Sequence, residues 1–318
     1  AEPGVEVLVT TDPEVVDRAD LAVLPGSRST VADLDWLRRT GLAALTAQTG
    51  LACAGVVPWL PDLILDAEDS LAVGRWRRPS GAPDALRVAV VPLPRVSNVT
   101  DVDALAAEPG VEVLVSSDPT VVAGADLAVL PGSRATVSDL DWLRRTGLAG
   151  SLEQRAGRQA PTLGVCGGYQ MLAETIVDDL ESGRGTVPGL GLLPARVTFS
   201  PDKTLGRPVG SWRGHALRAY EIHHGRAEAH GGEPFLDGVR AGQVWGTMWH
   251  GAFENDGFRR AWLQSVAEAS GSRWRPHPDA PPYGARRENM INTLADAVAE
   301  HVNLDAVLAP AKTTESCR

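Results

Sequence analysis

The first 43 residues of this 318-residue chain return 106 positions later: 1–43 and 107–149 differ at only seven positions, among them Thr10/Ser116, Glu14/Thr120 and Arg18/Gly124. A period this long is no solenoid unit; it reads as a partial duplication. Each copy runs Val-Glu-Val-Leu-Val, then Ala-Asp-Leu-Ala-Val-Leu, then a Pro-Gly-Ser-Arg turn and a helix through Asp-Leu-Asp-Trp-Leu-Arg-Arg-Thr-Gly. Asp33 and Asp139 stand near the helix start and Gly41 and Gly147 near its end, as capping favours. Only the second copy has good neighbours. Leu86-Arg87-Val88-Ala89-Val90-Val91 precedes it as a buried strand, and Thr162-Leu163-Gly164-Val165 follows as another. Copy one, residues 1–50 against 107–156, is therefore expected to be non-catalytic and to compete for copy two's place in one sheet.

From residue 86 onward strands alternate with helices at βαβ spacing, which predicts an α/β fold: a mostly parallel sheet with helices on both faces. Residues 189–250 read as strand-rich, and Phe258 to Ala269 and Asn289 to Val302 as amphipathic helices. Residues 74–85 read as a linker, and 309–318 as a disordered tail. The formal net charge of −10, with no basic stripe, argues against a nucleic-acid partner. No apolar run approaches the ~20 residues of a membrane span, and no basic-then-apolar leader opens the chain, so a cytoplasmic protein is expected. Three cysteines, Cys53, Cys166 and Cys317, at irregular spacing make neither a disulfide framework nor a metal site.

Chemistry concentrates at Leu163-Gly164-Val165-Cys166-Gly167-Gly168-Tyr169-Gln170. A strand runs straight into Cys166, and Tyr169 to Glu174 reads as the helix that follows. This is a nucleophile elbow in cysteine form. The glycines allow a tight backbone and the close approach of a substrate. The turn sets the sulfur at a helix N-terminus, which favours thiolate. The amide of Gly167 would point where an oxyanion forms. A lone cysteine is more often a small buried apolar residue; the two glycines and the helix start argue otherwise.

A cysteine nucleophile needs a base. His250, in Trp245-Gly246-Thr247-Met248-Trp249-His250-Gly251, falls at the end of a strand-like run, on the carboxyl edge where open α/β folds build sites. His223 and His224 are its rivals, while His215, His230, His277 and His301 have no motif around them. The Pro-Gly-Ser turn after Leu130 makes Gly132 and Ser133 candidates for a second oxyanion donor.

With these residues in view, the chain resembles the C-terminal glutamine amidotransferase domain of the cobyric acid synthase (CobB/CobQ-type) family. The likeness rests on Leu-Gly-Val-Cys-Gly-Gly-Tyr-Gln-Met-Leu, Gly-Leu-Gly-Leu-Leu-Pro, Tyr-Glu-Ile-His-His-Gly-Arg and Gly-Thr-Met-Trp-His-Gly-Ala-Phe-Glu-Asn-Asp, with Leu130-Pro131-Gly132-Ser133-Arg134 upstream. It implies a class I glutamine amidotransferase-like, flavodoxin-like fold over 86–308, with 51–85 a remnant of the synthetase domain's end and its linker. Cys166 would attack the amide of L-glutamine, and His250 would protonate the departing ammonia. The resemblance further implies substrate contacts from Gln170, Tyr220, Glu221 and His223. The ammonia would serve ATP-dependent amidation of four peripheral carboxylates of adenosylcobyrinic acid a,c-diamide in cobalamin synthesis. The glutamate that other glutaminases of this class carry two residues after the histidine is here Ala252, so what orients His250 is open.

No GxxxxGK[ST] occurs, and Lys203-Thr204 lacks a glycine loop before it. No cofactor is therefore expected on this chain; ATP and Mg2+ would belong to the missing synthetase domain. The expectation is a truncated or rearranged product whose own activity is at most glutaminase. Two other readings stand beside it: a stand-alone glutaminase subunit for another ligase, such as one amidating lipid II, and a catalytically dead α/β binding module.

Overall fold

The computed structural model describes residues 57, 58, 60 and 82–305. The expectations for residues 1–50, for most of 51–81 and for the tail lie outside the described residues. The chain divides into two units, 65–286 on the one hand and 1–64 with 287–318 on the other. The boundary after Arg286 falls inside the range 86–308 read from sequence as one domain.

In the first unit, β1 (Leu86–Val90), α1 (Thr100–Ala106), β2 (Val111–Val115), α2 (Pro119–Gly124) and β3 (Leu127–Leu130) follow in order. Then come α3 (Thr136–Arg145), α4 (Leu148–Gly157), β4 (Thr162–Val165) and α5 (Gly167–Leu172). The strand-rich region supplies β5 (Ala173–Asp178), β6 (Gly185–Pro188), β7 (Leu193–Gly206), β8 (Val209–Trp212), β9 (His215–Arg218) and β10 (Glu221–Ala229). It closes with β11 (Glu233–Phe235), β12 (Gly238–Ala241) and β13 (Val244–Thr247). Helices α6 (Asp256–Ser270) and α7 (Tyr283–His301) complete the described chain.

Among the described residues the main sheet has seven strands in the order β11-β12-β13-β4-β3-β1-β2. Its five strands from β13 to β2 pair in parallel, and β12 and β11 add an antiparallel edge. Strand periodicity sorts the side chains. Leu86, Val88 and Val90 of β1, Leu127 and Val129 of β3, and Leu163 and Val165 of β4 enter a core with α1 and α6, where Phe253, Phe258 and Trp262 are fully buried. Ala89, Ala128 and Leu130 face the opposite core, built with α3, α4 and α5. That second core also receives Ile176, Val187, Leu193 and Val197 from a four-stranded sheet ordered β10-β7-β5-β6. Both faces are thus covered, as the unbroken apolar strands require.

Two local expectations change. The helix after the elbow is only six residues long, and Ala173 and Glu174 already belong to β5. Asp139 does not cap α3. It is buried inside the helix's first turn, where it accepts from the Ser133 hydroxyl at 2.6 Å and the Arg95 amide at 3.2 Å. The amide end of α3 is met instead by Glu181, whose carboxylate accepts from Thr136 N–H at 2.8 Å. Among the described residues no helix is long and apolar enough to cross a membrane.

Candidate active site

The carboxyl ends of β3, β4, β1 and β13 converge on Cys166. It sits between β4 and α5 at φ 50°, ψ −111°, and its N–H donates to the Thr247 carbonyl at 2.8 Å. A non-glycine residue held there carries about 1–3 kcal/mol of strain, a condition that clusters at functional sites. The following glycines let α5 press against the loop after β3. A Cβ at Gly168 would lie 1.9 Å from the Leu130 carbonyl oxygen, and one at Gly167 would lie 2.6 Å from the Ser133 amide nitrogen. No side chain fits there, so the backbones of 167 and 133 become neighbours beside the sulfur. Gly132 is pinned in the same way: a Cβ would meet the Ser97 carbonyl oxygen at 2.7 Å and His250 Cε1 at 3.5 Å.

His250 is 2% exposed. It leaves the sheet just past β13, at a turn held by Asp237, which accepts from the Thr247 hydroxyl and the Met248 amide. Desolvation of the Asp237 carboxyl pushes its pKa upward from its ordinary range. The imidazole Nδ1 lies 2.8 Å from Asp101 Oδ2, while Asp101 Oδ1 accepts from Gly251 N–H at 2.8 Å. With Nδ1 taken, Nε2 is the nitrogen left for Cys166. Burial by itself would strip the ring of its proton, but hydrogen bonding to Asp101 and to Cys166, with their negative charge, holds its pKa well above the ordinary imidazole value.

The structure therefore brings together Cys166, His250, Gly132, Ser133 and Gly167. The rival histidines part at a β-bulge in β10. His224 turns to the Ser200 carbonyl, 3.1 Å from its Nδ1. His223 faces inward, with Nε2 3.6 Å from Glu221 Oε2; burial lowers its pKa against the opposing pull of Glu221, and the charge of His250 adds a little to the lowering. Gln170 is buried and spends both ends of its amide on protein: Thr136 Oγ1 donates to it at 2.8 Å, and it donates to the Gly225 carbonyl at 3.3 Å. That makes it a brace between α3, α5 and β10, where the resemblance implied a substrate contact. Tyr220 stacks on His250, with ring centroids 5.5 Å apart.

Sequence reasoning missed Asp101, which lies 149 positions before its partner. Its only signal was an acid beside the helix start after β1, and Asp103 shares that signal. Among the described residues no group of three His, Cys, Asp or Glu side chains could hold a metal ion.

An open parallel sheet that sets a cysteine elbow against a carboxylate-held histidine defines the class of α/β amidotransferases with a cysteine–histidine pair. The chain belongs to the family of CobB/CobQ-like glutamine amidotransferase domains, which residues 87–258 match. It is 53% identical over 282 residues to a cobyric acid synthase of Cutibacterium acnes, covering 86% of this chain and 58% of the relative. A cobyric acid synthase of Streptomyces coelicolor is 50% identical over 278 residues, covering 85% and 55%. The chain thus spans little more than half the length of the curated relatives it matches. A solved glutamine amidotransferase structure aligns with a TM-score of 0.46 and 20% identity, over 58% of this chain and 98% of that one.

Proposed function

We propose that this chain is the glutaminase half of a cobyric acid synthase. It would release ammonia from L-glutamine for the ATP-dependent amidation of peripheral carboxylates of cobyrinic acid a,c-diamide. The observation that carries the reading is His250, held at Nδ1 by Asp101 at the end of the strand beside the Cys166 elbow, where the sulfur bears on its charge.

The chemistry follows from that geometry. The Cys166 thiolate attacks the side-chain amide carbon of glutamine, and negative charge gathers on the carbonyl oxygen. The N–H groups of Gly167 and of Gly132 or Ser133 are the backbone donors for that oxygen. His250, protonated at Nε2, gives its proton to the amide nitrogen, the C–N bond breaks, and ammonia leaves a γ-glutamyl thioester. His250 then takes a proton from water, which attacks the thioester; glutamate departs and the sulfur returns as thiolate. Asp101 fixes the tautomer and aim of the ring. His223, which feels the charge of His250, and its neighbour Glu221 are the candidates for holding the substrate's polar groups. ATP and Mg2+ would act on a synthetase half, which the ammonia has to reach.

The test is glutamate and ammonia release from L-glutamine by the full chain. It is run alone, and with an ATP-dependent synthetase half, ATP, Mg2+ and cobyrinic acid a,c-diamide added. Release that depends on Cys166 supports the glutaminase, and amidated corrinoid formed only in the complete mixture supports the partner. Undiminished release in Cys166→Ala sinks the assignment.

A further inference from the structure

His250 is restrained on more than one side. Asp101 fixes the Nδ1 edge, but a single hydrogen bond leaves the ring free to tilt about the Nδ1···Oδ2 line. Swinging Nε2 away from the sulfur would need only that tilt. The structure puts a second restraint on the face of the ring.

We infer that Tyr220, between β9 and β10, is a positioning residue for His250: its ring covers one face of the imidazole while its hydroxyl is moored to Asn98. The inference rests on the reading of Cys166 and His250 as the reacting pair. Four observations support it. First, the rings stack at 5.5 Å between centroids with 26° between planes. Second, Tyr220 and His250 exchange both backbone hydrogen bonds, N–H to O at 2.9 and 2.8 Å. Such a pair puts both side chains on one face. Third, the Tyr220 hydroxyl donates to Asn98 Oδ1 at 2.8 Å, and Thr100 Oγ1 donates to the same oxygen at 2.8 Å. Asn98 holds that oxygen in place from a left-handed backbone, φ 55°, a conformation asparagine tolerates better than most residues. Fourth, Gly251 is shaped to the ring. It sits at φ 71°, and a Cβ there would come within 3.1 Å of Tyr220 Cε1 and 3.2 Å of Cδ1.

One short segment, the end of a loop and the first turn of α1, thus holds both restraints. Asn98 moors the aromatic cover, and Asp101, three residues on, takes the edge. The electron-rich tyrosine face also favours an imidazolium over a neutral ring. The other groups that bear on His250 are Asp101 from α1 and Cys166 between β4 and α5, which favour its charge, and His223 from β10, whose charge would oppose it.

The experiment uses the full chain with L-glutamine as substrate. Glutamate release is measured from acid to alkaline pH in Tyr220→Leu, Tyr220→Phe and Asn98→Ala, each with a thermal melt. Tyr220→Leu should lower kcat about 10–100-fold, with KM within about twofold of the parent. Without the aromatic face, burial weighs more on the imidazolium, so the alkaline limb of kcat moves to lower pH. Tyr220→Phe keeps the stack and should recover most of kcat and the limb, with Asn98→Ala close to it. A raised KM with kcat retained would make Tyr220 a substrate contact and overturn the inference. So would a fall in kcat that follows the loss of folded protein while the limb stays put. If Cys166→Ala releases as much glutamate as the parent, the reading of the site fails first and the inference falls with it.

Discussion

Two walls meet at Cys166, and they are built by opposite means. One is backbone against backbone. Gly167 and Gly168 let the elbow press on the loop after β3 so closely that a methyl at 168 would lie 1.9 Å from a carbonyl oxygen. The other is side chain to side chain: Asp101 on His250 across 149 residues of sequence, and Tyr220 on Asn98 across 122. The backbone wall offers amides and has no room to spare. The side-chain wall holds and tunes a titrating group, and it has room for a smaller or neutral substitute. Damage to the first should therefore cost folding, and damage to the second should cost chemistry.

The largest effect lies where the walls meet. Cys166→Ala removes the sulfur from an otherwise unchanged elbow and should abolish glutamate release while the thermal melt stays near that of the parent. Cys166→Gly should be equally inactive yet more stable by about 1 kcal/mol, because glycine relieves the strain of φ 50°. A denaturant midpoint that does not rise would show that the elbow is not strained.

Next comes the side-chain wall. Asp101→Asn keeps the size of the group and an acceptor for Gly251 N–H but presents no charge to His250. A fall in kcat of about 10³–10⁴-fold is expected, by analogy with other acid–histidine pairs. The pH profile carries the sign. His250 is raised well above the ordinary imidazole value, so the imidazolium is kept until pH climbs through that raised value. Without Asp101 burial dominates, and the alkaline limb of kcat should drop toward the ordinary range or below it. The stability that His250 contributes follows the same rule: it is fully present below the unfolded pKa and lost as pH rises through the folded one. A profile unchanged in Asp101→Asn would remove Asp101 from the site.

The same contrast explains what could be read in advance. The backbone wall was legible because its cause is local: a strand, a cysteine and two glycines adjoin in sequence, and Pro131-Gly132-Ser133 closes a recognisable strand. The alternation of apolar strands with helices likewise announces a parallel sheet. The side-chain wall was not legible. Nothing near Asp101 distinguishes it from Asp103, and only the pairing of β1 with β3, and of β3 and β13 with β4, brings it to His250. Asp139 misled for a related reason. Its position suits a cap, but the fold turns it inward to the Ser133 hydroxyl. Gln170 stood in a motif that suggested substrate, yet Thr136 and Gly225 arrive from distant elements to occupy it.

The backbone wall can be tested with one methyl group. Gly168→Ala forces a Cβ onto Leu130 C and O, which belong to a central strand and cannot rotate away. Destabilisation of about 3 kcal/mol or more is expected from overpacking at such a site. The control is Gly150→Ala in α4, where nothing lies within 4 Å of the added atom. There the helix should gain about 0.5–1 kcal/mol. Urea midpoints that shift in opposite directions confirm the contrast; equal shifts would mean that α5 is free to move off the loop.

The smallest effect separates the two walls within a single residue. Ser133 lends its amide to the backbone wall, while its hydroxyl donates to buried Asp139 and accepts from Ala135 N–H at 2.9 Å. Ser133→Ala leaves the amide in place, so glutaminase activity should stay within an order of magnitude of the parent, against the ~10²–10³ that a lost oxyanion donor costs. Stability should fall instead, by about 1–3 kcal/mol, because a buried carboxylate loses a donor. Burial already pushes the Asp139 carboxyl upward, opposed by the Ser133 hydroxyl and the Arg95 amide. Removing the hydroxyl raises it further, so the deficit should be greatest near neutral pH and shrink as acid protonates Asp139 in the folded state. Denaturant curves at neutral and mildly acidic pH would read this directly. A deficit that does not shrink in acid would show that Ser133 serves the Ala135 turn rather than the carboxylate.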